Sequence, residues 1–269
     1  YTKAFDISEL QFGIQYQHNY AYNDYVVYDE TTSMSKDNIY AYAQYVTMLG
    51  EKASLVLGTG AKVFVVNDGL NTLSYVKNLS TLRLNYKINK KMSLSAVASL
   101  SPSLPSLSDL STVMQRTDDV SANVGNADLK PYNTLSGRLQ FNYNAPKIFY
   151  ATATAGYSHS FNPIVYTYYY NPELNLFVNS PHNSDYYKTM YLYTKIGAKK
   201  LFEFLYISLT GNLRKQESKG IGFHHENLNF YSSVEVQAVW EKFTMGCDFD
   251  ITPAITLYGE NLYHNEMSQ

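Results

Sequence analysis

The chain has 269 residues, 45% of them hydrophobic and 16% charged, with 21 basic against 23 acidic side chains and a net charge of −2. That balance offers no cationic face to nucleic acid, and the single cysteine, Cys247, excludes an intrachain disulfide framework and a four-cysteine metal site. With a mean hydropathy of −0.29 and no run of about eighteen apolar residues, a transmembrane helix is excluded as well. Aromatic content is unusual: 27 Tyr stand against 13 Phe and one Trp. A buried phenol must find a hydrogen-bond partner, so such an excess suits a surface that is apolar on one side and wet on the other. Position 1 is Tyr, no signal segment precedes the first patterned stretch, and Asn265 to Gln269 follow without a cap or turn, so a piece of a longer chain is expected.

The first element spans 8–18. From Glu9 to Gln17 the side chains alternate strictly, with Leu10, Phe12, Ile14 and Tyr16 on one face, a segregation that a strand achieves and a helix cannot. Strands at 38–48 and 53–63 follow, joined by the tight link Leu49 to Lys52. At 79–88 the period returns as Leu82, Leu84, Tyr86 and Ile88 against Thr81, Arg83, Asn85 and Lys87, and a link at Asn89 to Met92 leads into 92–100. The pair 133–143 and 148–161 sets Leu135, Leu139, Phe141 and Tyr143, then Phe149, Ala151, Ala153, Ala155 and Tyr157, against polar partners, with Asn144 to Lys147 between them. Strands at 188–198 and 201–213 meet at Gly197 to Lys200, and strands at 227–240 and 243–257 meet at Trp240 to Phe243. In the last, Phe243, Met245, Cys247, Phe249 and Ile251 oppose Thr244, Gly246, Asp248 and Asp250.

These eleven strands are separated by two kinds of connection. Every tight link carries a Lys, whereas the connections near 19–37, 64–78, 101–132, 162–187 and 214–226 are long and rich in Asn, Asp, Ser, Pro and Tyr. A short-long rhythm means antiparallel hairpins with all tight turns at one end. A soluble β-sandwich would bury the apolar faces against each other, and Greek-key connections would give its two ends loops of similar length. A transmembrane barrel would turn those faces to lipid, with polar faces in the lumen, short periplasmic turns and long outer loops. Loop asymmetry favours the barrel. So do Tyr16, Tyr45, Tyr86, Tyr143, Phe149, Tyr157, Trp240 and Phe243, which sit near strand ends where interfacial girdles form.

The segment Pro105-Ser106-Leu107-Ser108-Asp109-Leu110, followed by Val124-Gly125-Asn126-Ala127-Asp128-Leu129-Lys130-Pro131-Tyr132 and then a strand, resembles the G-N-P-x-L-K-P stretch of TonB-dependent receptors and related outer-membrane barrels. Ala127 replaces the usual Pro. In that family the stretch ends a long extracellular loop, and Ile255 to Glu260 looks like a loop near the C-terminal end of such barrels. The resemblance implies a Gram-negative outer-membrane barrel of about 22 strands, with a plug domain inside and a segment that contacts the TonB complex. Neither is in this sequence, so the chain is expected to supply roughly half of a barrel wall as one partial domain, 1–269. The expected partners are outer-membrane lipids, the plug of the same full-length chain, the TonB complex and a surface lipoprotein.

Catalytic signatures are weak. The six His form no H-E-x-x-H pair, His224 and His225 would point to opposite sides of an extended chain, and no G-x-S-x-G elbow is present. A Ser/His pair on neighbouring strands has only His159 with Ser158 or Ser160 to draw on. Asp24, Asp29, Glu30 and Asp37 lack the spacing of a calcium loop, and no cofactor or metal is expected. Binding candidates are clearer. Arg83, Arg138, Glu235, Asp248 and Asp250, with Lys87 and Lys195, fall on polar faces and are expected in the lumen, since a charge facing lipid costs about 2–4 kcal/mol at mid-depth. They would meet water, a plug or cargo. Loop 162–187 carries Tyr166, Tyr168, Tyr169 and Tyr170, an Asn171-Pro172-Glu173 turn and Leu174, Leu176 and Val178, a hairpin expected to stand above the membrane, with Tyr186 and Tyr187 at its end. Its phenols suit sugar stacking or peptide capture. The expected function is non-enzymatic uptake of a siderophore, glycan or peptide; a passive or structural barrel and a soluble secreted β-sandwich are the competing readings.

Overall fold

The computed structural model describes residues 2–5, 7–25, 30–67, 72–145, 149–252, 255–259 and 261–264. The chain opens with β1 (Thr2–Phe5), β2 (Ser8–Tyr25), β3 (Glu30–Leu49), β4 (Ala53–Asn67), β5 (Thr72–Lys87) and β6 (Met92–Ser103). An excursion then carries α1 (Leu107–Leu110), β7 (Gln115–Arg116) and β8 (Ser121–Asn123) before the chain returns as β9 (Tyr132–Ala145) and β10 (Phe149–Phe161). A second excursion forms β11 (Ile164–Asn171) and β12 (Leu176–Asn183), after which come β13 (Tyr186–Leu201), β14 (Leu205–Gly220), β15 (Phe223–Trp240) and β16 (Phe243–Ile251). A last hairpin pairs β17 (Ile255–Tyr258) with β18 (Asn261–His264).

Twelve strands, β1 to β6, β9, β10 and β13 to β16, form one antiparallel meander in chain order, interrupted only by the two excursions. The sheet does not close on itself among the described residues. All eleven expected strands are present. Between its two edge strands, β1 and β16, backbone groups along the wall are satisfied by their neighbours, the condition that lets strands cross hydrocarbon.

Register fixes the faces. Phe12 opposes Ala43, Ala43 opposes Thr59, Leu57 opposes Leu82 and Leu82 opposes Ala98. On the far side of the sheet Leu139 opposes Ala155, Ala155 opposes Leu192, Leu192 opposes Leu213 and Leu213 opposes Phe230. All of these point outward, and many large ones stay exposed, Ile14 at 80% and Met245 at 79%. An exposed apolar band of this extent around one face of the sheet is what a lipid-facing wall presents. The eight girdle aromatics named above also lie on the outward face, and Tyr143 and Phe149 meet at the lower ends of β9 and β10 with ring centroids 5.9 Å apart.

Four expectations need correction. The connections 19–37, 64–78 and 214–226 are largely continued strand, with pairing carried to Tyr25–Glu30, Asn67–Thr72 and Gly220–Phe223. Above the lipid both faces of a hairpin are wet, so the two-residue contrast disappears while the ladder persists. Gly197 is not a turn residue; the turn falls at Phe202–Phe204, with positive φ at Phe202 (52°) and Glu203 (74°). Gly197 lies instead beneath its cross-strand partner Tyr150, whose ring would be 2.3 Å from an added Cβ. Gly13 under Tyr42 and Gly156 under Tyr191 repeat the arrangement on the lumen face. Much of the Tyr excess therefore lines the lumen, beyond the girdles and loops. The strand expected over 243–257 ends at Ile251, and Ile255–Tyr258 turns back as β17. The Pro146–Lys147 part of one tight link, Asp29, the side chains of Asp24 and Glu30, and Glu260 lie outside the described residues.

Candidate functional site

The two excursions are not separate loops. β11, β12, β8 and β7 make a second, four-stranded sheet in which β12 runs parallel to β8. This sheet and α1 share a small core of Leu110, Leu129 and Ile164 with Val66 of β4, and Leu107 and Tyr132 pack against it. Val66 lies on the lumen face of the wall, because β4 turns Leu57 and Val63 outward and its even-numbered residues inward. The excursions thus fold inward, onto the lumen side of the upper wall.

The motif Gly125–Tyr132 is the latch. Ser106 and Asp109 form a capping box that starts α1. Gly125 N–H donates to the Ser111 carbonyl at 2.8 Å and Asn126 N–H to that of Asp109 at 2.6 Å. A Cβ on Gly125 would lie 2.3 Å from the Ser111 carbonyl oxygen, so only glycine allows this backbone crossing. Asn126 Nδ2 donates to the Pro181 carbonyl at 3.1 Å, Leu129 is 1% exposed, and Lys130 and Asn183 exchange two hydrogen bonds at 2.8 and 3.0 Å. One excursion is thereby fastened to the other. β17 adds to the mouth: the Leu257 carbonyl accepts from Tyr187 Oη at 3.2 Å and Gln216 Nε2 at 3.0 Å, and Asn261 Nδ2 donates to the Tyr166 carbonyl at 2.9 Å.

Two cavities open in this mouth. One, of about 240 Å³, is bounded by Ser108, Asp109, Ser111, Asn123, Tyr166 and Asn179. The Ser111 hydroxyl and Asn179 Oδ1 are buried there without a partner. With the Asp109 carboxylate this is a cluster of acceptors, suited to hydroxyl or ammonium donors. The other, of about 660 Å³, lies between Tyr75 and Lys77 of the wall and Asn126, Asp128, Lys130 and Asn183 of the latch.

The six tyrosines expected to bind are placed differently from one another. Tyr168, Tyr169 and Tyr170 are exposed on β11, at 62%, 45% and 50%, and Tyr170 bonds Asn175 Oδ1 at 2.6 Å. Tyr166 donates to Asp109 Oδ1 at 2.7 Å and braces the mouth. Tyr187 is on the lumen face, where it also accepts from Gln216 at 2.6 Å. Tyr186 is on the opposite, outward face, hydrogen-bonded to Glu217 at 2.5 Å. That bond pushes the phenol up to about 12 and holds Glu217 below the usual carboxylate range, with His224 and Lys188 adding to the effect on Glu217.

Arg83, Arg138, Glu235, Asp248 and Asp250 fall on the lumen face by register. Arg83 and Arg138 both oppose Val97, and the same row continues through Gly156 and Tyr191 to Arg214. Three of the four arginines in the chain therefore share one cross-strand row. None of them takes part in an ion pair among the described residues. Sequence reasoning missed this row, since register alone aligns residues so distant in the chain. Glu235 lies directly opposite Asp248, and Lys195 approaches it at 4.0 Å. His159 faces outward and stacks on Phe161 at 4.1 Å, while Ser160 faces inward to Thr134, so the triplet brings no Ser to a His. Glu217, His224 and Glu226 bring ligand-type atoms within 4.8 Å of one another, but Lys188 and Lys215 already pair with these carboxylates.

A lipid-facing meander with a mouth folded onto its inner face defines a membrane β-barrel wall of the outer-membrane type. The profile of the outer membrane protein beta-barrel family matches residues 1–258, and the chain belongs to that family and to the cell outer membrane. Among solved structures it is similar to the copper transporter OprC (TM-score 0.73, 12% identity, covering 94% of this chain and 42% of that one). It is also similar to the FrpB iron transporter from Neisseria meningitidis, in its F5-1 variant (0.65, 14%, 92% and 41%) and its F3-3 variant (0.63, 13%, 91% and 40%). The chain spans about two fifths of the length of these structures. No curated protein matches it significantly.

Proposed function

We propose that this chain forms the wall and mouth of a TonB-dependent receptor that takes up a nutrient too large to diffuse through a pore. The observation that carries the reading is the latched mouth: two excursions fold onto the lumen wall, are fastened together at Gly125–Tyr132 and narrow the entrance around polar cavities, as a selective receptor requires. In this reading a plug domain of the full-length chain fills the lumen, and its carboxylates meet the guanidiniums of Arg83, Arg138 and Arg214, which share one row of the wall. Such pairs, shielded from bulk water, would be stronger than exposed ones. Cargo, of siderophore, glycan or peptide class, is caught at the exposed Tyr168, Tyr169 and Tyr170 and passed to the acceptor-lined cavity at Asp109. Each phenol offers a flat apolar face and a polar tip. No chemical step is required of any residue.

The test is growth on a candidate nutrient by cells carrying the full-length gene, with TonB present or deleted. Uptake that disappears with TonB supports the reading. Uptake indifferent to TonB, with an open single-channel conductance in the purified protein, would mark a passive barrel instead.

A further inference from the structure

β11 ends the mouth sheet, with β12 on one side of it and no strand paired to the other among the described residues. Its register with β12 runs without a shift from Ile164↔Asn183 to Asn171↔Leu176. The two-residue period of an antiparallel ladder therefore decides which of its peptide groups face β12 and which face away. The Ser184 N–H donates to the Pro163 carbonyl at 2.8 Å, which turns the odd-numbered residues toward β12. The even-numbered ones face the open side. Tyr166 stands opposite Pro181, which has no N–H to give, and its carbonyl accepts instead from Asn261 Nδ2 of β18 at 2.9 Å. Beyond that contact Tyr168 and Tyr170 each turn a main-chain N–H and C=O to the same side, and these groups have no partner among the described residues. The far edge of β12 shows the contrast: its Phe177 N–H and Asn179 carbonyl, which face away from β11, are bonded to Val120 and Val124 at 2.8 and 3.0 Å.

Natural edge strands are usually blunted by Lys, Pro or a bulge. This one has none of them: Val165 to Asn171 carries no charge and no proline, and its pairing is regular. Tyr168 and Tyr170 lie exposed on one face with Phe177, whose ring centroid is 5.4 Å from that of Tyr170. We propose that this edge is where the cargo docks and that the cargo is an extended peptide, added to the mouth sheet as a further strand beside β11. Donors and acceptors recur along the edge about every 6.8 Å, two residues of strand, a repeat that another extended main chain matches and a sugar ring or a compact metal chelate does not. Alternate side chains of the peptide would lie beside Tyr168 and Tyr170, so that the main chain supplies most of the affinity and the phenols tolerate many sequences. The Asn261 amide already stands in for a main-chain N–H at Tyr166, so the added strand continues an existing interface upward. The inference rests on the receptor reading above and narrows its cargo to one class.

Amide hydrogen exchange and calorimetry on the purified full-length protein test it, with a short capped peptide that alternates Val with Thr and Lys as the probe. The Tyr168 and Tyr170 amides are expected to exchange freely without peptide and about tenfold more slowly when it is saturating. The same peptide N-methylated at consecutive positions, and maltoheptaose, should give no protection. Tyr168→Pro removes an outward N–H and no bond to β12, and should weaken peptide binding about tenfold, whereas Tyr168→Thr keeps the main chain and should stay within about threefold of wild type. Unchanged heat-modifiable migration on gels confirms that each variant is folded. Protection of the two amides in the absence of peptide would overturn the proposal, because another segment of the full-length chain or a second copy would then hold the edge. So would undiminished binding by folded Tyr168→Pro, equal losses in the Pro and Thr variants, or equal binding of the N-methylated peptide. Binding of maltoheptaose in place of the peptide would overturn the cargo class and leave TonB-dependent uptake, which the growth test decides separately, intact.

Discussion

The outward wall and the inward mouth are built on one sheet, yet they are held by different physics. The wall is repetitive. Within the lipid band every second residue of the wall strands meets lipid, and the ladder continues whichever apolar residue fills an outward rung. The mouth is singular, because α1, β7, β8, β11 and β12 are too short to stand alone. It depends on a few contacts between residues far apart in the chain: Gly125 against Ser111, Asn126 against Pro181, Lys130 with Asn183, and Leu129 in a core completed by Val66. A wall tolerates many changes in composition and few in polarity; a latch tolerates neither at its crossing points.

The largest expected effect belongs to the wall. Leu139→Arg puts a charge on the lipid face and should destabilise the folded barrel by about 2–4 kcal/mol if Leu139 lies near mid-depth. Reversible urea unfolding in bilayers of the full-length protein measures it, and a cost below about 1 kcal/mol would place this face away from hydrocarbon. Next comes the latch. Gly125→Val drives a branched side chain into the carbonyls of Asp109 and Ser111 and should cost about 1–3 kcal/mol, confined to the mouth. Limited proteolysis should then cut within 104–131 while the wall stays intact. Cleavage that spreads into the wall would mean that the two regions are not separable.

The smallest effect concerns Tyr186 and Glu217, which lie above the band. Glu217 titrates below its ordinary value, so its contribution is present above about pH 4.5 and fades as pH falls through the lowered value. Tyr186 is raised from 10.0 to about 12, so its contribution is complete below pH 10 and is lost as pH rises through about 12. The melting-temperature difference between wild type and Tyr186→Phe should be greatest between those limits and shrink on either side. A difference that is flat with pH would show that the hydroxyl does not depend on its carboxylate partner.

How much of this was legible in the sequence follows the same division. Eleven of the twelve wall strands were readable, β1 being the exception, because lipid on one face and water on the other write a two-residue period, as Leu10 to Tyr16 and Phe243 to Ile251 illustrate. Above the band that contrast vanishes, and the continued pairing of Asn19 with Lys36 or Glu217 with Glu226 left no trace in the pattern. Gly197 read as a turn because its real partner, the Tyr150 ring, lies across a strand pair. In the mouth the Gly125–Tyr132 segment was visible through its resemblance, but its action as a latch depends on Asp109, Pro181 and Asn183, which no local period connects to it. Tyr166, Tyr186 and Tyr187 were grouped by loop, and the fold sends them to a brace, the outer face and the lumen respectively.

Adjacent residues in β9 provide the most direct test of the wall. In a background of the full-length protein in which Trp240 and every other tryptophan are replaced by Phe, a tryptophan at Leu139 points to lipid and one at Arg138 points to the lumen. Fluorescence quenching by bilayers of acyl-brominated phospholipid compares the two. Strong quenching of Leu139→Trp and weak quenching of Arg138→Trp is the expected result. Equal quenching at both positions, or the reverse order, would contradict a barrel wall with this register.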